Sequence, residues 1–197
     1  MEIIKPEEYA VSEWAGGKTT QLYIYPQGSE YAKRNFLLRI SSATVECERS
    51  EFTSLPQVER IILPLSGSLH LFYEGHGEKK LEPFEQDCFD GGWKTVSVGR
   101  ATDFNVMLRE GTQAQVRLLD VNPNEQASVE VAANGLTAVF AAQGTAVVDG
   151  KALTGGRKGR RKLPSDRRQR RMQIAVRRGS ILTRKKRAGM SSFFIDK

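Results

Sequence analysis

The strongest constraint on this chain is the spacing of its turn residues. Pro26-Gln27-Gly28, Ser66-Gly67, Glu74-Gly75-His76-Gly77, Asp90-Gly91-Gly92, Asn122-Pro123-Asn124, Asn134-Gly135 and Gln143-Gly144 punctuate the first 150 residues. Such groups supply the backbone conformations that tight turns need. No stretch between them carries a capped 3.6-residue apolar period, so long helices are excluded there. The intervening stretches are rich in β-branched and aromatic residues and read as strands. They are 21–25, 36–47, 60–65, 68–73, 95–98, 104–108, 115–121, 136–141 and 145–148. Short Gly-bearing connections predict antiparallel hairpins. Many short strands at short spacing predict an all-β sandwich, barrel or jelly roll. The pattern strand, x-Gly-x, strand at 65–71 returns at 142–151, which suggests a second, shorter β unit after Val121.

Charge divides the chain. Residues 1–150 hold 13 Lys and Arg against 21 Asp and Glu, a net −8, whereas residues 151–197 hold 17 against 2, a net +15. The body is acidic, and the +7 of the whole chain comes from its last segment. Beyond Gly156, basic clusters at 157–162, 167–171 and 184–187 are separated by few apolar residues, the main ones being Ile174, Val176, Ile181 and Leu182. That charge density predicts a solvated, disordered basic tail. The jump in charge falls where the second β unit is half built, so a shift of reading frame after Gly155 is an alternative account. The tail should attract polyanions without sequence preference. It has no helix-turn-helix signal, and its only aromatics, Phe193 and Phe194, are too few for a stacking platform. No specific nucleic-acid partner is expected.

Several chemistries are excluded. Two cysteines, Cys47 and Cys88, and two histidines, His70 and His76, allow neither a disulfide scaffold, a Cys-based zinc module nor a three-histidine metal site. There is no Gly-x-Ser-x-Gly elbow. Gly17-Lys18-Thr19 lacks the first glycine of a phosphate loop, since Ser12 stands there, and a strand follows it. No run approaches the ~18 apolar residues of a membrane span. The first residues lack the apolar core of a signal peptide, so the cytoplasm is the expected compartment.

Period-two counting through 36–45 puts Leu37, Arg39, Ser41, Ala43 and Val45 on one strand face. An arginine on an apolar face must be paired or face a cavity. It either binds a carboxylate, with Ser41 as hydrogen-bond partner, or forms an internal ion pair. Asp103 and Asn105 share a face opposite Phe104 and Val106, which fits ligand binding or a bulge equally. In Leu69-His70-Leu71-Phe72, the second position of a metal-binding His-x-His is Phe72, and one His with nearby Glu74 makes a poor metal site. No metal and no cofactor is expected.

Six segments in order resemble the HutD/Ves family of small cupins. They are Trp14-x-Gly16-Gly17-x-Thr19, Arg39-Ile40-Ser41-x-Ala43, the run 52–60 from Phe52 to Arg60, Leu63-x-Leu65-x-Gly67, Phe89-Asp90-Gly91 and the run 103–107. The resemblance covers about residues 8–120 and thins after Val121. It implies a bicupin of two β-barrel halves, a cavity inside the first, and the usual absence of metal-binding histidines. It also implies a regulatory rather than a firmly catalytic role, linked to histidine utilisation in some bacteria and to stress responses in others. The expected layout is a first barrel over 1–121, a partial second half over 122–154, and a basic tail from 155. The expected pocket combines Arg39 as the carboxylate-binding group, Thr19, Ser41 and Asn105 as neutral hydrogen-bonding groups, Arg60 and Asp90 as ligand contacts or a structural pair, and Trp14 as an aromatic wall. The leading reading is thus a metal-free cupin that binds a small carboxylate-bearing metabolite as a sensor or modulator; a homodimer is compatible with it. The alternative is a metal-independent isomerase or lyase, with Asp90 or Asp103 as general base.

Overall fold

The computed structural model describes residues 2–121, 126–127, 135–148, 151–155, 169–178 and 191–195. Every regular element among them is a strand, apart from one 3-10 turn at Pro6–Glu8. In chain order they are β1 (Glu2–Ile4), β2 (Ala10–Trp14), β3 (Gly17–Tyr25), β4 (Leu38–Val45), β5 (Arg49–Glu51), β6 (Glu59–Ser66), β7 (Leu69–Tyr73), β8 (Gly77–Leu81), β9 (Asp87–Asp90), β10 (Thr95–Val98), β11 (Ala101–Leu108), β12 (Thr112–Val121), β13 (Gly135–Ala141), β14 (Gly144–Val148), β15 (Lys151–Gly155), β16 (Gln169–Arg178) and β17 (Ser191–Ile195). The chain divides into two compact units, Tyr9–Thr112 and residues 1–8 with 113–197.

The Tyr9–Thr112 unit is built from two antiparallel sheets. One has six strands in the order β2-β3-β4-β11-β6-β9, and the other has four in the order β5-β10-β7-β8. Strands distant in sequence lie side by side, as in a jelly roll. Alternation along each strand sends one set of side chains between the sheets. Ile62 and Phe89 from the six-stranded sheet meet Leu69, Leu71, Tyr73 and Leu81 from the four-stranded one in a single buried cluster. The connection between β6 and β7 turns at Gly67, whose φ is +73°; a Cβ there would lie 2.2 Å from the Arg100 carbonyl oxygen. Only glycine meets both demands.

In the other unit, five strands run in the order β1-β17-β13-β16-β12, and β14 and β15 form a hairpin. β13 is antiparallel to β16 and parallel to β17, which also pairs in parallel with β1. Its residues Thr137–Ala141 are buried. Two features differ from the sequence expectation. The division falls at 112/113 rather than 121/122, and the first eight residues join the second unit through β1, because strand pairing ignores order along the chain. Strands β16 and β17 also fall inside the segment expected to be an unstructured tail. In the first of them Met172, Ile174 and Val176 occupy alternate positions, a period-two signal that the surrounding arginines outweigh in a reading by charge. The basic clusters at 157–162 and 184–187 lie outside the described residues, as does the Asn122-Pro123-Asn124 turn.

Candidate functional site

The space between the two sheets of the Tyr9–Thr112 unit is not filled at one end. A cavity of about 300 Å³ opens there, at the small end of ligand pockets. The register of the six-stranded sheet lays its wall out in rows. Arg39 on β4, Met107 on β11 and Arg60 on β6 are cross-strand neighbours. The next row holds Gln21, Ser41 and Asn105, and the one after it Thr19, Ala43 and Asp103. A β-bulge between Thr102 and Asp103 shifts the β11–β6 register at this point, a device that re-aims side chains beside sites. Ser12 and Trp14 of β2, Tyr31 of the loop before β4, Val45 at the end of β4, and Ser50, Glu51, Phe52 and Thr53 complete the lining.

The two arginines dominate the chemistry. Arg39 is 5% exposed; its Nε donates to Gln21 Oε1 at 3.0 Å and its Nη1 to Ser41 Oγ at 3.1 Å, with Met107 Sδ at 3.9 Å. Its guanidinium lies 4.3 Å from the centre of the Tyr31 ring, a cation–π contact. Arg60 is 6% exposed and lies over the rings of Phe52 and Phe89 at 4.5 and 5.3 Å. Its Nε is buried with no hydrogen-bond partner. Burial pushes the Arg60 pKa down to about 10, opposed first by the charge of Asp103. Burial also lowers that of Arg39, opposed by Tyr31 and Asp103 and reinforced by Arg34. Both cations are therefore held in a place that disfavours their charge. Asp103 is itself buried, and its Oδ1 accepts the Ala43 backbone N–H at 3.2 Å.

Of the residues expected in the pocket, Trp14, Thr19, Arg39, Ser41, Arg60 and Asn105 all line this cavity. Asp90 does not. It is exposed at the end of β9, one position beyond Phe89, the residue paired with Arg60, and alternation turns it to the opposite face. Its Oδ1 accepts the Gly92 N–H at 2.7 Å and closes a turn, so it neither contacts a pocket ligand nor pairs with Arg60. The histidine positions need a similar correction. Leu69, Leu71 and Tyr73 point inward, while His70 and Phe72 lie together on the outer face of β7, their ring centres 4.0 Å apart and their planes tilted by 33°. Phe72 is therefore not an interior ligand position. Among the described residues, no group of three or more His, Cys, Asp or Glu side chains is placed to hold a metal ion, and no helix is long and apolar enough to cross a membrane.

Sequence reasoning left out Tyr31, Ser50, Phe52 and Met107. Met107 shares the parity of Asp103 and Asn105, and that signal was available. Phe52 reads as ordinary core. Tyr31 lies in a loop, where no periodicity points anywhere, and Ser50 belongs to a strand of only three residues.

A HutD family model matches residues 6–175. The chain belongs to the HutD family. The match runs past Gly155, where the sequence resemblance has already faded. No curated protein sequence matches the chain. Among solved structures, a conserved protein of unknown function from Pseudomonas aeruginosa is similar at 20% identity, with a TM-score of 0.67 over 87% of this chain and 96% of the other. HutD from Pseudomonas fluorescens is similar at 20% identity, with a TM-score of 0.63 over 87% and 90%. The pirin YhhW from Escherichia coli, solved with nickel(II), reaches a TM-score of 0.57 at 11% identity over 87% and 91%. These likenesses show the fold: an all-β, cupin-like protein.

Proposed function

We propose that the cavity binds a small carboxylate-bearing metabolite, and that the protein acts as a metal-free cupin sensor or modulator in the cytoplasm, linked to histidine utilisation or a stress response. The observation that carries this reading is the pair of buried guanidiniums on the cavity wall, one of them with a buried Nε lacking any hydrogen-bond partner. A buried charge is costly unless it is paired. An incoming carboxylate provides that partner and accepts charge-assisted hydrogen bonds from a guanidinium fork. Ser41, Thr19 and Asn105 are the neutral groups beside it, and Trp14, Tyr31 and Phe52 form apolar walls.

A thermal-shift screen of the whole protein against small carboxylic acids, urocanate and formylglutamate among them, tests the reading. An acid at 100 times its dissociation constant stabilises by about 2.7 kcal/mol. The shift should vanish in Arg60→Met and weaken in Arg39→Gln. A shift of equal size in both variants sinks the assignment.

One observation favours a second reading, a metal-independent isomerase or lyase. Asp103 is a buried carboxylate on the cavity wall, where a general base would have to stand. Deuterium exchange into a bound acid, lost in Asp103→Asn, supports this reading; no exchange with any acid that binds removes it.

A further inference from the structure

The buried ionic groups of the cavity do not balance, and the imbalance bears on the ligand. Arg39 on β4 and Arg60 on β6 contribute two positive charges, and Asp103 on β11 contributes one negative charge that acts on both. The other charged lining residue is Glu51 on β5, which is exposed at the rim and screened by solvent. Tyr31 faces Arg39 from the loop before β4, with Arg34 on its ring as well. β2 and β3 contribute only neutral groups, and neither histidine lines the cavity. The buried cluster therefore carries one uncompensated positive charge.

We infer that the cavity is charge-matched to a monoanion: a monocarboxylate enters without exchanging a proton, whereas a dicarboxylate enters only as the complex takes up one proton, with Asp103 as the group that receives it. This rests on the carboxylate-binding reading and adds a selectivity to it. A monoanion brings the cluster to neutrality. A dianion leaves one excess negative charge in a buried site, where an unpaired charge is expensive. Asp103 lies on the same wall as both arginines, so it is the carboxylate most exposed to the second charge. A neighbouring like charge favours the protonated form of a carboxyl group. Proton uptake coupled to binding makes the affinity fall about tenfold for each pH unit above the range in which the proton is freely supplied.

Glutarate and glutaramate, its monoamide, have nearly the same shape and differ by one charge. The experiment is calorimetric titration of the full-length protein with each acid at about pH 6.5 and about pH 8.5, in two buffers of different ionisation enthalpy so that protons are counted directly. Glutaramate should bind with no proton exchanged and the same affinity at both pH values. Glutarate should bind with uptake of about one proton and lose up to ~100-fold in affinity over the interval. In Asp103→Asn the uptake should disappear and the preference reverse toward glutarate. The wild-type proton count decides the matter even if that variant does not fold. Glutarate that binds without proton uptake, or more tightly than glutaramate at the higher pH, overturns the charge match and leaves the acid-binding pocket standing. If neither acid gives heat or a thermal shift at millimolar concentration, the pocket reading itself fails, and the charge match fails with it.

Discussion

Arg60 shows how a single residue trades stability against binding. Its guanidinium is enclosed by Phe52 and Phe89 and carries a depressed pKa of about 10, so its charge destabilises the free protein. Replacing buried ionic groups by apolar ones of similar volume is often neutral or stabilising. Arg60→Met should therefore unfold at equal or higher urea concentration than wild type, by up to roughly 1–2 kcal/mol, while acid binding is lost; a markedly less stable variant contradicts this account. Cys88 makes a different point. It is exposed, yet burial of its sulfur and donation to Glu59 Oε1 at 3.0 Å push its pKa up to about 12. Reactivity follows the thiolate. At about pH 8 its alkylation should run at least tenfold slower than that of a small-molecule thiol, and Glu59→Gln should recover part of the rate; mass-spectrometric alkylation kinetics measure both. Tyr73 adds a pH effect. Burial and donation to Asp87 Oδ2 at 2.7 Å raise its pKa well above the phenol range. The unfolded chain loses this proton near pH 10 and the folded one keeps it, so the folded state binds more protons there. Its contribution to stability is complete below pH ~10 and declines as pH rises further. Urea denaturation between about pH 9 and 11 should show this decline, and Tyr73→Phe should flatten it.

At the scale of elements, the hairpins carry the strongest local demands. Gly67 joins β6 to β7, and the same two strands bring Arg60 and the inward leucines of β7 to the space between the sheets. Alanine there meets both a left-handed backbone and a carbonyl oxygen at 2.2 Å. Gly67→Ala should cost at least ~1–3 kcal/mol in chemical denaturation, whereas Gly75→Ala, whose Cβ would meet nothing within 4 Å, should cost less. Equal losses at the two positions would show that backbone strain alone matters and the close approach does not. β4 illustrates what alternation can reveal. Counting by two placed Leu37, Arg39, Ser41, Ala43 and Val45 on one face; the last four line the cavity, and Leu37, which precedes the strand, does not. Asp90 illustrates the opposite. Its neighbours Phe89 and Gly91 belong to a recognisable motif, but its own parity sends it outward, and a motif does not state parity.

On the scale of the whole molecule, the segregated charge predicts a property independent of the cavity. The last 47 residues carry +15. Binding to heparin or to DNA of any sequence should be readily measured at low salt and fall steeply as salt rises. Replacing the basic residues of 157–162 with serine should reduce the salt slope and leave acid binding in the Tyr9–Thr112 unit unchanged. An affinity that differs strongly between DNA sequences contradicts the expectation of unspecific attraction. Two units with separate sheets also make separate tests meaningful, because the lining residues of the cavity all belong to Tyr9–Thr112.

By itself the sequence determined the all-β class, the position of most strands between 17 and 148, the burial of Arg39 and the family, because each follows from local period, turn chemistry or short motifs along the chain. Arg60, Thr19, Ser41 and Asn105 were also legible as pocket candidates, through the same motifs. Only the tertiary structure decided which of them face one another, that Tyr31 and Phe52 cover the two guanidiniums, that Asp103 joins them, that Asp90 and His70 face away, and that β1 pairs with β17. These facts depend on register between strands far apart in sequence. A shift of one residue in that register reverses every side chain of a strand, and nothing local fixes it.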